Sequence, residues 1–121
     1  MQPTPRPLSD IPEDSPIALL TRRKVFGERM LWAYVTLRAG CHVAQHSHEN
    51  EQIAFLISGR VRWRLGSPGS PEYREVEAGD GTVLHLPSNF PHGLDALEAT
   101  VILDVLSPPG EMGVDRQGKR G

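Results

Sequence analysis

Gly40-Cys41-His42-Val43-Ala44-Gln45-His46-Ser47-His48-Glu49-Asn50-Glu51-Gln52, closed by Gly59 after six further residues, is the stretch on which the reading of this chain turns. His46 and His48 are two apart, so on a strand their side chains point the same way. Gln52 opens the next extended run. His92 follows a rigid turn, Pro87-Ser88-Asn89-Phe90-Pro91. Three imidazoles and one oxygen donor suit a mononuclear metal site that keeps positions open for water or substrate. His42 and His85 stand outside this pattern and are expected at the surface or supporting a ligand. Glu49 and Glu51 are rival ligands, but Glu51 should face away from Gln52.

Outward from this stretch the chain reads as strands. Leu31, Ala33, Val35 and Leu37 alternate with Trp32, Tyr34 and Thr36, and Val61, Trp63 and Leu65 alternate with Arg60, Arg62 and Arg64. Thr82–Leu86 and Thr100–Leu106 are apolar or β-branched runs. Gly/Pro turns separate them, and no 3.6-residue periodicity lasts beyond about two turns. This is the pattern of an all-β sandwich or barrel. A two-residue turn at Ser58-Gly59 predicts a hairpin pairing Ile57 with Arg60, Phe55 with Arg62 and Ile53 with Arg64. Gln52, Ala54, Leu56, Val61, Trp63 and Leu65 then face inward. Ile53, Phe55 and Ile57, rimmed by arginine, form a candidate subunit interface or a bed for the N-terminal segment.

The 121 residues fit one domain, with 13 basic and 15 acidic residues and a net charge of -2. That balance argues against electrostatic nucleic-acid binding. No apolar run approaches a membrane span, and a single cysteine, Cys41, allows no internal disulfide. A cytoplasmic setting is the expectation. Residues 1–16 carry five prolines and are expected as an extended or disordered arm. Residues 108–121 are expected as a flexible tail, which leaves 17–107 as the folded domain.

Gly40-x5-His46-x-His48-x3-Gln52-x6-Gly59 resembles the first signature of the cupin superfamily, with Gln where most members have Glu. Gly81-x5-Pro87-x-Asn89-x2-His92 resembles the second, with Asn89 in place of its second Gly and Ala96 in place of its final Asn. The resemblance implies a cupin double-stranded β-helix (jelly-roll) barrel. It also implies one divalent metal ion (Zn, Mn, Fe, Ni or Cu) held by His46, His48, Gln52 and His92.

His-Ser-His-x-x-Glu-Gln, Leu86–Gly93 and Leu103–Pro109 are similar to the small cupins of pectin and alginate catabolism (the KdgF type). Those cupins open 4,5-unsaturated uronates to linear keto sugars. Asp104 matches their proton-transfer aspartate. Leu106 and Gly110 replace a Phe and a carboxylate-binding Arg of that group; Arg22, Arg23 or Arg29 are the substitutes the sequence offers.

A neutral amide at Gln52 leaves the metal its full charge, which favours Lewis-acid work. Asp104 shares a face with Ile102 and Leu106, where an acid is costly unless paired or functional. It is expected to transfer a proton, the alternative being a pairing with an N-terminal arginine. The expected function is isomerase- or lyase-type chemistry on a small carbonyl, enol or sugar compound. A non-heme dioxygenase and a non-catalytic binder of metal or small ligands are the alternatives, and a homodimer is expected.

Overall fold

In a computed structural model, which describes residues 2–119, ten strands form two antiparallel sheets. They are β1 (Glu13–Asp14), β2 (Leu20–Phe26), β3 (Leu31–Leu37), β4 (His42–His46), β5 (Glu51–Ser58), β6 (Arg60–Leu65), β7 (Arg74–Gly79), β8 (Thr82–Leu86), β9 (His92–Ala96) and β10 (Thr100–Ser107). A 3-10 turn, Leu8–Asp10, precedes them and a short helix, α1 (Gly113–Lys119), follows. The six-stranded sheet has the order β1-β2-β3-β10-β5-β8 and the four-stranded sheet β4-β9-β6-β7. Face to face they make the all-β jelly-roll barrel that the strand pattern and the signatures imply.

Period-2 alternation decides what lies between the sheets. Leu31, Ala33, Val35 and Leu37 are buried on β3, and Gln52, Ala54 and Leu56 on β5. Val61, Trp63 and Leu65 on β6 face them from the opposite sheet, also buried. Leu31, Leu37, Leu56, Leu86 and Leu106 are almost completely removed from water. Each such leucine contributes roughly 1.5–3 kcal/mol over an exposed one.

The predicted β5–β6 hairpin does not form. β5 pairs with β10 and β8, whereas β6 pairs with β9 and β7. Ser58-Gly59 is a corner at which the chain leaves one sheet for the other. Gly59 has φ +111, and a Cβ there would overlap Thr100 Oγ1 and the Ala99 carbonyl. A hairpin and a corner put the same residues inside, so alternation alone cannot separate them. The arginines therefore do not rim Ile53, Phe55 and Ile57. Those residues lie exposed on the outer face of the six-stranded sheet, where the register sets Val83 and Leu103 beside Phe55. The N-terminal segment does not cover them, because it runs along the opposite edge, with Asp14 paired to Arg22.

The ends are more built than their proline and glycine content suggests. Ile11 is buried and β1 extends the six-stranded sheet. Within the segment expected as a flexible tail, residues 108–119 close one end of the barrel. Met112 and Val114 are buried, and Asp115 pairs with Arg22. Two apolar side chains, one ion pair and the hydrogen bonds of Arg116 and Gln117 dock the segment, a total that composition averages away. Residues 120–121 of that expected tail, and residue 1 of the arm, lie outside the described residues.

Candidate metal centre

Three elements bring the histidines together. His46 ends β4 and is the direct cross-strand partner of His92, which opens β9. Their ring centroids are 4.3 Å apart. His48 is not on the strand, as the two-residue spacing predicts, but in the loop after it. That loop is pinned by the Asn89 N–H, which donates to the His48 carbonyl at 2.7 Å. Asn89 has φ +65, the left-handed conformation that Asn tolerates better than most residues. It can therefore occupy the position where the second signature usually has glycine.

Each ring is oriented in the same way. His46 Nδ1 donates to the Ala44 carbonyl at 2.8 Å, His48 Nδ1 to Asn50 at 2.9 Å and His92 Nδ1 to Phe90 at 2.8 Å. With every Nδ1–H so committed, each Nε2 presents a lone pair. One nitrogen from each ring lies within 4.8 Å of one from each other ring. Burial, and then the neighbouring imidazoles, push the His92 pKa down to about 3. Burial likewise lowers that of His46. Both rings are thus held neutral, the form that binds metal.

Gln52 enters from the opposite sheet. Its Nε2 donates to Asp104 Oδ1 at 2.9 Å, which leaves Oε1 facing His48 Nε2 at 3.1 Å. In the tautomer that donates Nδ1–H to Asn50, two lone pairs then oppose each other. Turning the amide would face its oxygen toward Asp104, an acceptor whenever that carboxyl is ionised. A cation among the three Nε2 atoms and Oε1 satisfies all four acceptors, so this donor set fits a metal ion.

Asp104 sits on β10 between Ala33 on β3 and Ala54 on β5, two small residues that leave space for it. It is 7 % exposed, and no cation pairs with it among the described residues, so the arginine alternative fails. Burial raises its pKa to about 7, outweighing the Gln52 hydrogen bond, which lowers it.

Glu51 faces outward, as expected, and takes His85 Nε2 at 2.6 Å. His42 is exposed and lies 2.6 Å from Asp95. Glu49 is exposed and outside the histidine cluster.

The cluster opens onto a cavity of about 50 Å³. Trp63 and Leu94 help to wall it, and Met112, Gly113 and Val114 close it. A Cβ on Gly113 would fall on the His46 ring, so only glycine lets the chain pass there. Sequence reasoning missed this closure. It named Arg22 only as one of three arginines. The available signal was alternation from the buried Leu20, which turns Arg22 inward to line the cavity.

Residues 33–106 match the Cupin domain family, and the chain belongs to it. Its structure is similar to that of an RmlC-like cupin from Shewanella frigidimarina NCIMB 400 (15% identity, 85% of this chain and 88% of that one, TM-score 0.75). It also resembles KdgF from Halomonas sp. (21% identity, 84% and 92%, TM-score 0.71). Oxalate decarboxylase of Bacillus subtilis, which has Mn(II) centres, is matched over 87% of this chain but 29% of its own length (21% identity, TM-score 0.75). No curated protein matches the sequence. Among the described residues, no helix is long and apolar enough to cross a membrane.

Proposed function

We propose that this cupin is a metal-dependent enzyme of isomerase or lyase type acting on a small carbonyl, enol or sugar compound. The observation that carries the reading is the Gln52 amide, with its oxygen at His48 Nε2 and its N–H on Asp104. One residue thereby couples the metal-binding cluster to a buried acid. A divalent ion held by His46, His48, Gln52 and His92 supplies Lewis acidity toward a substrate oxygen, and Zn, Mn, Fe, Ni and Cu all suit three nitrogens and one oxygen. Asp104 gives or takes the proton at Oδ, held in orientation by Gln52. Its pKa near neutrality suits that exchange. Trp63, Leu94 and the closing segment keep bulk water out. The resemblance of the His46–Gln52, Leu86–Gly93 and Leu103–Pro109 stretches to KdgF-type cupins supports a sugar-acid substrate class, and the free, buried Cys41 fits a reducing cytoplasmic setting.

The test is turnover of a panel of unsaturated sugar acids and small keto acids by metal-loaded protein, with and without oxygen. Activity that is independent of oxygen and lost in Asp104→Asn with metal content retained supports the reading. Activity that requires oxygen moves the assignment to a dioxygenase. A second reading, a non-catalytic ligand-binding module, is favoured by the small cavity, whose volume matches only about four waters. It predicts ligand binding with no turnover.

We also propose that the protein is a homodimer through the outer face of the six-stranded sheet. Ile53, Phe55, Ile57 and Val83 are 37 to 64 % exposed there, more apolar surface than one isolated residue explains.

A further inference from the structure

Arg22 is the one strong cation in the wall of the metal-facing cavity, and its side chain is 2 % exposed. Two carboxylates share it. Asp14, its partner across the β1–β2 pair, accepts from Nε at 2.9 Å and from one terminal nitrogen at 3.2 Å. Asp115, on α1, accepts from both terminal nitrogens, one of them at 3.1 Å. Lys24 Nζ also lies 4.0 Å from Asp14 Oδ2, so two cations and two carboxylates meet here. Asp14 comes from the strand beside Arg22. Asp115 comes from 93 residues away, on a segment anchored by Met112, Val114 and a few polar contacts. That same segment walls one side of the cavity and lies against His46. Taken together, one side chain that binds carboxylate faces the ligand site, and the carboxylate it holds belongs to the segment that walls the site.

We propose that Asp115 is an internal stand-in for a ligand carboxylate: an incoming small carboxylate takes the guanidinium edge from Asp115 and releases the 112–117 segment, opening the cavity. The inference rests on the reading of this cavity as the ligand site. At Arg22 one bidentate carboxylate replaces another on the same two donors, while release of the segment gives up the hydrogen bonds of Gln117 to Ala44 and His42 and of Arg116 to Ser47. The exchange accounts for a cavity of about 50 Å³ beside a cluster built for chemistry. With the segment docked, the space admits a molecule of a few heavy atoms. With it released, the space opens to solvent.

The test is hydrogen–deuterium exchange of the amides of 112–117 in the full-length protein, metal-loaded and chelator-stripped, titrated with acetate against acetamide at fixed ionic strength. Acetate is expected to speed exchange of this segment at least about threefold in both forms, and acetamide to leave it unchanged. Asp115→Asn removes the internal competitor. The segment should then exchange fast without acetate, and acetate should bind about tenfold more tightly, as for a site that is about nine-tenths self-occupied in the wild type. Arg22→Gln should abolish the acetate response. If that variant does not fold, Arg22→Lys, which loses the planar fork, should weaken it severalfold.

Unchanged exchange with acetate, equal action of acetamide, or no affinity gain in Asp115→Asn overturns the proposal. So does an acetate effect that survives in folded Arg22→Gln, because that would place the anion on the metal. Metal content is measured in parallel. Protein that takes up no metal yet shows the exchange sinks the metal reading alone. Metal-loaded protein without the exchange sinks this inference alone.

Discussion

The two faces of the barrel wall treat the same side chain in opposite ways. Inside, His46, His48 and His92 each give Nδ1–H to a backbone carbonyl. Outside, His42 and His85 each lie 2.6 Å from a carboxylate, Asp95 and Glu51, in pairs that solvent reaches. A carbonyl partner fixes the tautomer, and burial, against that hydrogen bond, holds His46 and His92 neutral with a free lone pair. What makes an imidazole a candidate ligand here is therefore its acceptor and its burial, and residue type alone decides nothing.

Removing a ring from each face is the most severe way to break that contrast. His92→Ala or His46→Ala should lower metal affinity at least about 100-fold, beyond the tenfold to hundredfold typical of supporting residues. His42→Ala and His85→Ala should leave it unchanged. Metal content after gel filtration, by atomic emission, checks both, and equal retention in all four would end the distinction.

Gln52→Glu sharpens the contrast from within. It sets a second carboxylate against Asp104 in the metal-free protein and should cost about 1–3 kcal/mol there. With metal bound the new charge is compensated, so metal should raise the melting temperature more in the variant than in the wild type. An equal rise would show that the amide oxygen is not directed at the metal.

On the outer face, Phe55→Glu puts a charge into the exposed apolar strip. It should weaken self-association at least about tenfold, read as a shift to monomer in sedimentation equilibrium. A wild-type protein that is already monomeric would remove the dimer proposal.

The smallest effect belongs to Asp95. Its burial, which raises the pKa, is outweighed by hydrogen bonds from His42 and Arg64, so its carboxyl is held below the usual carboxylate range. A depressed acid adds stability above its unfolded pKa and loses it as pH falls through the folded value. The pair is partly exposed, so the contribution should be under about 1 kcal/mol. Asp95→Asn should therefore cost under about 1 kcal/mol of urea stability at pH 7 and flatten its fall between pH 5 and pH 3, around the ordinary aspartate pKa of about 3.9, with variant and wild type converging at the acid end.

The inner and outer faces were legible from the sequence because a strand has period 2 whatever it pairs with. The same indifference hid the partner. Residues 52–65 read equally well as a hairpin and as a corner between sheets, and only the packing of Gly59 against Thr100 separates the two. The structure sets His46, His48 and His92 together with Gln52 beside His48, the four residues that the spacing singled out, although His48 reaches the cluster from a loop. Arg22 and the closing segment stayed hidden for another reason. Their meaning lies in a contact spanning 93 residues: the alternation from Leu20 turns Arg22 inward but names no partner, and Asp115 stands in no local pattern that announces it.

The alanines on either side of Asp104 carry a consequence for how this barrel can vary. Positions 33, 54 and 104 lie on three adjacent strands, in register, and all three are buried. The acid is therefore a three-residue trait spread over seventy positions of chain. A valine at either flank would take the room that the carboxylate needs, while the aspartate itself stayed in place. Among relatives, an Asp beside an enlarged neighbour would lack that room, and the sizes of the two flanking residues tell more about whether a buried acid can sit here than its own letter does.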